Sequence, residues 1–400
     1  MQEPVQSAAK RIDSIDILRG LAMVVMALDH VRDYFHAAAI SGDPLDLATT
    51  TPLLFMTRWV THFCAPLFVF LSGTSIYLQG LRKSKGELSA FLFKRGLWLI
   101  LMEMAVITLG WTFNPGYSYF ILQVIWVIGW SMILLSLVIR LPFGLILALG
   151  LLLVFGHNLL DIPESAPGFK PGLLWDFLHK GHFSFYTLLP GHTVVILYPL
   201  LPWPGVMMLG YCLGYYFSPR FSVALRSKRL LWLGTGLLLF FTLLRFTNTY
   251  GDPVGWSTQK NALFTLLSFI NVYKYPPSLL YLCLTIGTGL LLLVLFERVR
   301  GRIPSMLRVF GRVAFFYYIL HLYLIHLLEA ISFFMRGHSF GSGPSGGREF
   351  LFYFVIPAEG YGLRVVYLVW IAVVLALYPL CKWYDAYKSS HRHKWWLSYL

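Results

Sequence analysis

The chain has 400 residues, of which 57% are hydrophobic and only 12% are charged, whereas about 25% of the residues of a soluble protein are charged. Apolar segments long enough to cross a bilayer recur along its length, which excludes a soluble enzyme and indicates a polytopic helical membrane protein. The net charge of +14 would suggest nucleic acid in a soluble protein, but the positive-inside rule explains it here, so no nucleic-acid partner is expected.

We predict an all-α integral membrane protein with about ten transmembrane helices. It is treated as one domain over residues 1–400, with short cytoplasmic tails at 1–14 and 386–400. The predicted spans cover, in chain order, residues 15–36, 57–80, 91–113, 118–139, 141–160, 192–217, 229–248, 275–297, 309–335 and 362–384.

The basic residues predict the orientation of these spans. An even number of spans puts both termini on one side, and 22 of the 32 Lys and Arg residues fall on that side. Because cytoplasmic loops carry the excess of Lys and Arg, both termini are expected in the cytoplasm. The long loops 37–56, 161–191, 249–274 and 336–361 then lie outside. The segment 177–192 is apolar but interrupted by Gly and Pro, which favours an interfacial or re-entrant segment.

Ionisable side chains crowd the second half of the first span, which reads LAMVVMALDHVRDYFHAAA from residue 21 to 39. His30 lies about 22 Å along this helix at 1.5 Å per residue, in the outer half of the bilayer. Asp29, Arg32 and Asp33 share one helical face. Asp33 is also three residues from His30, and it is therefore predicted to orient the His30 imidazole.

Two further spans contribute polar residues. Arg58 and His62 are one turn apart at the start of the second span, and Arg58 is the expected partner of an aspartate in the first span. In the ninth span, His321 is expected near the middle of the membrane and His326 nearer the outside. Buried ion pairs and histidine-to-carbonyl hydrogen bonds also serve to join helices. For the set we favour function, because ionisable groups inside a membrane are costly.

Four segments together resemble a known family. They are RIDSIDILRGLAMVVMALDHVRDYF, TRWVTHFCAPLFVFLSGTSIYL, FLFKRGLWLILME and GRVAFFYYILHLYLIHLL. In this order they resemble the bacterial branch of the heparan-α-glucosaminide N-acetyltransferase catalytic-domain family, which belongs to a wider group of transmembrane acyltransferases. The chain is also similar to the acyltransferase-3 proteins of that group, whose first helix has Leu-Arg-Gly, an apolar run and a critical histidine. Arg19 and His30 have the matching spacing.

The resemblance implies a multi-pass acyltransferase of the bacterial inner membrane. It implies transfer of an acetyl group from cytoplasmic acetyl-CoA to a sugar or cell-envelope glycan on the outer side. The lipid bilayer is the remaining expected partner, and a homodimer is the oligomer considered. Acetyl-CoA is expected as the donor substrate, and no metal is expected.

The residues and the resemblance lead to the same chemistry. Acyl transfer needs a base that takes the proton of the acceptor, and histidine suits this role. Arg58, His62 or His321 would stabilise the developing oxyanion. The residues assigned to catalysis are His30, Asp33, His62 and His321. Those assigned to substrate binding are Asp29, Arg32, Arg58 and His326.

Lys and Arg side chains bind phosphate groups, which CoA carries. Donor binding is therefore assigned to basic residues at the predicted cytoplasmic ends of the spans. These residues are Lys94, Arg95, Arg308 and Arg312. For each of them taken singly, an ordinary positive-inside charge is the favoured interpretation.

Three other classes remain open. A proton-coupled small-molecule transporter would use the same Asp, His and Arg residues. A haem-binding membrane cytochrome would use His62, His321 or His326 as axial ligands. A membrane scaffold would use the ion pairs only to hold its helices together.

Overall fold

The computed structural model describes residues 11–39, 42–181, 183–340, 351–391 and 393–398, and most of them are helical. The helices are α1 (Asp13–Phe35), α2 (Pro52–Trp59), α3 (Cys64–Gly80), α4 (Lys85–Met102), α5 (Thr108–Thr112), α6 (Val124–Val138), α7 (Phe143–Gly156), α8 (Asp161–Glu164), α9 (Leu173–Trp175), α10 (Trp203–Leu213), α11 (Val223–Thr247), α12 (Ala262–Ile270), α13 (Leu279–Arg298), α14 (Arg302–Arg312), α15 (Ala314–Met335) and α16 (Leu363–Ser390). Short 3₁₀ or π-helical turns link several of them. These turns are Val60–Phe63, Glu103–Ile107, His157–Leu160, Asp176–Lys180, Gly214–Phe217 and Trp395–Ser398.

Several of these helices are long and apolar enough to cross a membrane. Within the described residues there are six such stretches: Pro52–Gly80, Phe143–Glu164, Val223–Thr247, Leu279–Arg298, Ala314–Met335 and Leu363–Ser390. Helix α6 is a shorter apolar helix. Helix α1 has 23 residues, enough to span the hydrocarbon core at 1.5 Å per residue. The chain is a helical membrane protein, whereas the ten spans and the cytoplasmic termini stay predictions.

A small sheet departs from the all-α prediction. It has the strands β1 (Tyr119–Leu122), β2 (Ser184–Leu189) and β3 (His192–Ile196) in the order β1–β3–β2. Strand β3 pairs parallel to β1 and antiparallel to β2. The predicted spans 118–139 and 192–217 are thus wrong at their starts, where the chain forms strands. Aromatic and β-branched side chains favour strands in these segments, and the prolines that follow β3 delay the next helix to α10.

The predicted ninth span, residues 309–335, is also two elements. Its first residues belong to α14, and α15 begins only at Ala314. Helix α14 crosses the first half of α1 so closely that the backbones touch. A Cβ atom on Gly20 would lie 1.7 Å from the carbonyl oxygen of Leu307, and one on Gly311 would lie 1.8 Å from that of Asp16. Small residues permit such close helix packing in membrane proteins, and this crossing anchors the helix that carries His30.

A buried arginine organises the loop between α11 and α13. Arg245 is 1% exposed, and its guanidinium donates to four backbone carbonyls, those of Val254, Ser268, Phe269 and Asn271. Asp252 lies 3.7 Å from Arg245 and accepts hydrogen bonds from the Tyr273 amide and the Ser278 hydroxyl. Burial raises the pKa of Asp252, and the neighbouring Arg245 opposes this shift. These contacts hold the turn that carries Lys274 and Tyr275.

Candidate active site

Two histidines from distant parts of the chain meet in the interior. His30 on α1 is 7% exposed and His321 on α15 is 0% exposed. His30 Nδ1 and His321 Nε2 are 2.8 Å apart, and the two rings are nearly coplanar, with 12° between their planes. The two residues are 291 positions apart in sequence, so only the packing of α15 against α1 brings them together.

The surrounding acceptors determine where the protons lie. His321 Nδ1 is 2.9 Å from the Tyr317 carbonyl oxygen. A carbonyl only accepts, so Nδ1 of His321 carries the proton and Nε2 has a lone pair. His30 Nδ1 must then donate to His321 Nε2, which leaves Nε2 of His30 unprotonated. This is the tautomer that a general base or a nucleophile requires.

The prediction that Asp33 orients His30 is therefore wrong. The Asp33 carboxylate accepts from Arg32 at 2.5 Å, and the partner of His30 is His321. Sequence spacing places Asp33 within reach of His30, but the adjacent guanidinium is the stronger partner because it carries a full positive charge. Asp33 also keeps 32% of its side chain exposed, so it faces open space rather than the histidine pair.

Aromatic rings enclose the His30 imidazole. Trp111 on α5 presents its ring edge-on to His30, with 4.7 Å between ring centroids, and Tyr318 lies 6.1 Å away on α15. The Tyr34 hydroxyl donates to the Trp111 carbonyl oxygen at 2.6 Å and ties α5 to α1. A π-helical turn precedes α5, a distortion that often occurs at functional sites. The imidazole is thus enclosed by aromatic side chains on one side and is nearly buried.

A chain of ion pairs lies beside the histidines. Asp29 accepts from Arg32 at 2.9 Å and also from Arg58, while Arg32 bridges to Asp33. The expected pairing of Arg58 with an aspartate of the first span is confirmed, and the partner is Asp29. Two carboxylates balance two guanidinium groups, so the cluster is neutral overall. A buried, balanced network of this kind fixes the relative positions of α1 and α2.

His62 is buried without hydrogen-bond partners for its ring. It is 1% exposed, and neither ring nitrogen has a partner among the described residues. The His62 backbone carbonyl accepts from the Tyr281 hydroxyl at 2.7 Å. The Tyr281 ring packs edge-on against the His62 ring. A buried polar atom without a partner is costly and is therefore often functional. The His62 ring can offer one donor and one acceptor to a bound molecule.

Lys274 and Tyr275 were missed by the sequence analysis. Tyr275 hydrogen-bonds the side chain of Arg58 and the Tyr198 hydroxyl, the latter at 3.5 Å. The Lys274 ammonium lies 5.1 Å from the centre of the Tyr275 ring and, at 8% exposed, is nearly buried. No local pattern predicts this placement, because the loop 249–274 is positioned by Arg245. The one available signal was a lysine between aromatic residues, YKYPP, at the edge of an apolar span.

A cavity of about 440 Å³ opens next to this cluster, with Tyr275 in its wall. Ligand cavities for small molecules start at about 300 Å³, so it has room for a monosaccharide. Three of its four charged lining residues are acidic, and its polar lining comes from two segments of the chain, 161–184 and 273–275. These residues are Asp161, Glu164, Asp176, Lys180, Ser184 and Tyr273. Burial and a hydrogen bond to Asp176 raise the pKa of Tyr186 to about 12, so its hydroxyl stays a donor.

His326 lies apart from this site. Its Nδ1 is 2.9 Å from the Gly110 carbonyl oxygen and its Nε2 is 2.8 Å from that of Tyr353. Both ring nitrogens are thus occupied by the backbone of neighbouring segments. This geometry favours a structural tie between α15 and α5 over the substrate contact that the sequence suggested.

The four residues assigned to the donor differ in their surroundings. Lys94 is exposed, and Arg308 pairs with Asp13 at 3.1 Å in an exposed salt bridge. Arg312 pairs with Asp385 and donates to the Ser389 hydroxyl, each at 3.1 Å. Arg95 lies in a basic group at the same end of the helices, close enough to interact electrostatically. Its other members are Arg11, Arg19 and Lys388.

Two carboxylates of the described residues lie beside this basic group. Asp16 pairs with both Arg11 and Arg19, and Asp385 lies near Lys388. Lys388 was not singled out from the sequence. The arrangement suits a polyanion better than single Arg or Lys residues would.

The first part of the chain matches the model of a known protein family. The family described as "Heparan-alpha-glucosaminide N-acetyltransferase, catalytic" matches residues 11–244. This range includes His30, Arg58 and His62, whereas His321 and Lys274 lie beyond it. No curated protein matches the chain.

Proposed function

The chain belongs to the heparan-alpha-glucosaminide N-acetyltransferase catalytic-domain family, and from this premise we propose that it moves an acetyl group from acetyl-CoA to a sugar acceptor across the membrane. The observation that carries the proposal is the hydrogen bond of 2.8 Å between His30 and His321, which leaves Nε2 of His30 unprotonated. Histidine in this tautomer is a general base at neutral pH.

The chemistry follows from that lone pair. Nε2 of His30 takes the proton of an acceptor hydroxyl or amine as the acceptor atom attacks the thioester carbonyl. The tetrahedral intermediate then collapses, its C–S bond breaks, and the imidazolium returns the proton to the CoA sulfur. His321 Nε2 accepts the Nδ1–H group of the imidazolium through the same hydrogen bond and stabilises it, the position that a carboxylate takes in a catalytic triad. An acetyl-His30 intermediate would instead give ping-pong kinetics.

His62 is the favoured donor to the oxyanion. Its buried ring has an N–H group without a partner among the described residues, whereas Arg58 is engaged by Asp29 and His321 by His30. A preorganised donor in a water-excluded site strengthens as charge develops on the carbonyl oxygen. His62→Leu is therefore expected to lower kcat by about 10²–10³-fold.

The donor is proposed to bind at the basic end of the helices. Arg95 and Lys388, with their basic neighbours, would hold the phosphates of acetyl-CoA. Along α1, His30 lies eleven residues beyond Arg19, about 16 Å at 1.5 Å per residue, a separation that suits the long arm of CoA. Lys388→Gln should raise the KM for acetyl-CoA and leave kcat unchanged. Arg300→Gln is the matched control, because Arg300 is exposed and donates to the Glu297 and Val299 carbonyl oxygens of its own turn.

The acceptor is proposed to enter from the opposite side through the cavity that Tyr275 borders. Its volume and its polar lining suit a hydroxyl-rich ring. Tyr275 contacts Arg58, which connects the cavity with the ion pairs beside His30. A cell-envelope glycan and the inner membrane of a bacterium are the proposed acceptor and location.

His30→Ala tests the catalytic assignment. Loss of a general base lowers the rate by about 10²–10⁴-fold, so turnover of acetyl-CoA should fall at least about 100-fold. Turnover is measured in lipid with amino sugars, other sugars and envelope extracts as acceptors. Unfolding temperature and chromatographic behaviour serve as controls for folding. Turnover within about threefold of the parent protein would remove His30 from the reaction, and His62 would be the next candidate.

The ion-pair chain from Arg58 to Asp33 favours one alternative, a proton-coupled transporter. Paired carboxylates and guanidinium groups inside a membrane also suit proton movement. Reconstituted vesicles separate the two functions. Proton flux coupled to solute uptake, without release of free CoA, would support transport.

A further inference from the structure

Besides His62, a second buried histidine has a ring nitrogen without a hydrogen-bond partner among the described residues. His179 is 0% exposed, and its Nδ1 lies 2.9 Å from Glu164 Oε1. Because a carboxylate oxygen accepts, Nδ1 carries a proton, and in the neutral ring Nε2 is left with a lone pair. Nε2 has no hydrogen-bond partner among the described residues.

The atom that faces Nε2 is a carboxylate oxygen, which is itself a hydrogen-bond acceptor. Asp161 Oδ1 lies 3.8 Å from His179 Nε2 and likewise lacks a hydrogen-bond partner within the described part of the chain. Two lone pairs face each other across a gap that is too long for a hydrogen bond. Such an arrangement is unfavourable in a buried site unless a proton or a metal cation lies between the two atoms.

The wider charge balance also favours a cation. Asp161, Glu164 and Asp176 border the same cavity, and one ammonium group, that of Lys180, lies 3.8 Å from Glu164 Oε2. The carboxylates therefore exceed the nearby fixed positive charge. The lysine interacts with the far oxygen of Glu164 and leaves the gap between Asp161 and His179 unfilled by any described side chain.

The geometry fits metal coordination. Asp161, Glu164 and His179 each present a donor atom within 4.8 Å of the other two. Ligands bound at about 2.1 Å to one metal ion lie roughly 3.0–3.4 Å apart in octahedral or tetrahedral geometry. The separation of 3.8 Å between Asp161 Oδ1 and His179 Nε2 therefore closes with a small movement of either side chain.

Both principal donors are held from behind. The Nδ1–H group of His179 donates to Glu164, and Asn158 donates to the second oxygen of Asp161 at 2.7 Å. Trp175 also donates to Glu164, at 2.6 Å. A carboxylate behind a histidine ligand and a hydrogen bond behind a carboxylate ligand are the usual supports of a metal centre.

We propose that His179 Nε2 and Asp161 Oδ1 bind a divalent transition-metal cation in the wall of the 440 Å³ cavity, with Glu164 holding the imidazole from its Nδ1 side. The combination of imidazole nitrogen and carboxylate oxygen suits Zn²⁺ or Mn²⁺. Two protein donors leave coordination positions that face the cavity, where water or a hydroxyl oxygen of a bound molecule completes the shell. This proposal departs from the expectation, drawn from the sequence, that no metal is bound.

Metal binding is measured directly, without acetyl-CoA or acceptor, so the result does not depend on the proposed acetyl transfer. The full-length protein in lipid nanodiscs is stripped with chelator and titrated with Zn²⁺ and Mn²⁺ separately, by calorimetry and by elemental analysis after desalting. One ion per chain is expected. Asp161→Asn and His179→Ala should each weaken binding at least 100-fold, and Glu164→Gln by about 10–100-fold because Glu164 orients the ring through Nδ1.

His192→Ala is the matched control. His192 is another histidine of the same loop region, and its Nδ1 contacts the Tyr117 carbonyl oxygen rather than the cluster. It should retain full metal binding. Asp161→Asn keeps the size of the side chain, so it tests the site even if His179→Ala fails to fold. The proposal would be overturned if the folded parent protein binds no ion, or if Asp161→Asn binds the ion with unchanged affinity. The contact between His179 and Asp161 would then be an ion pair without a metal.

Discussion

Replacing His321 by leucine should slow acetyl transfer without weakening the binding of either substrate. His321 Nε2 accepts a hydrogen bond from His30 Nδ1, with 2.8 Å between the two nitrogens, and leucine offers no acceptor. His30 then either buries an unpaired N–H group or moves its proton to Nε2, the atom that must act as the base. We expect kcat to fall while the KM for acetyl-CoA stays constant.

The size of the effect follows from the cost of the lost acceptor. A buried donor without a partner costs about 1–3 kcal/mol. The reactive tautomer of His30 becomes less stable by that free energy, and its population falls accordingly. At about 1.4 kcal/mol per factor of ten, kcat falls by about 5- to 150-fold.

His321→Gln is the matched comparison. The glutamine carbonyl reaches the position of the imidazole Nε2 and again accepts from His30, so this variant should stay within about tenfold of the parent. In the His30→Ala background, His321→Leu should have no further effect, because it acts through His30. The assay is release of free CoA with saturating acceptor, after thermal unfolding has shown that each variant is folded.

A particular pattern would refute this reasoning. If His321→Leu keeps kcat within about twofold of the parent, the hydrogen bond does not determine the tautomer of His30. If His321→Gln is as slow as His321→Leu, the acceptor at this position is not what matters. An increase in the KM for acetyl-CoA alone would move His321 to donor binding.

Three further predictions concern the fold. Gly311→Ala should lower the free energy of unfolding by about 1–3 kcal/mol, because its Cβ would meet the Asp16 carbonyl oxygen at 1.8 Å. Gly236→Ala is the control, because a Cβ there meets nothing within 4 Å. Equal unfolding temperatures of the two variants would contradict the close crossing of α1 and α14. Arg245→Met should cost about 3–5 kcal/mol, because it strands Asp252 and four carbonyls, and an unchanged unfolding temperature would show that the loop is held otherwise. The third prediction tests the topology with cysteines introduced at two exposed positions, in a background where the four native cysteines are buried. Ala166→Cys should react with an impermeant reagent in intact cells, and Lys83→Cys should not. The reverse pattern would invert the topology.

Local features of the sequence determined much of what is known here. The apolar periodicity and the scarcity of charge establish a helical membrane protein, because backbone groups in a bilayer must be satisfied within helices or closed barrels. The cluster of ionisable residues in the first span marked the site, and the pairing of Arg58 with that helix could be predicted, since a buried guanidinium needs a carboxylate. The resemblance identified the family.

Tertiary structure decided which of these groups meet. His321 reaches His30 only because α15 packs against α1, and no spacing rule connects residues that are 291 positions apart. Asp33 lies at the right spacing for His30, yet Arg32 takes its carboxylate. The loop that Arg245 holds positions Lys274 and Tyr275. Periodicity and spacing describe neighbours on one helix, whereas the partner of a buried polar group depends on how separate helices and loops pack, and that packing determines the tautomer of His30.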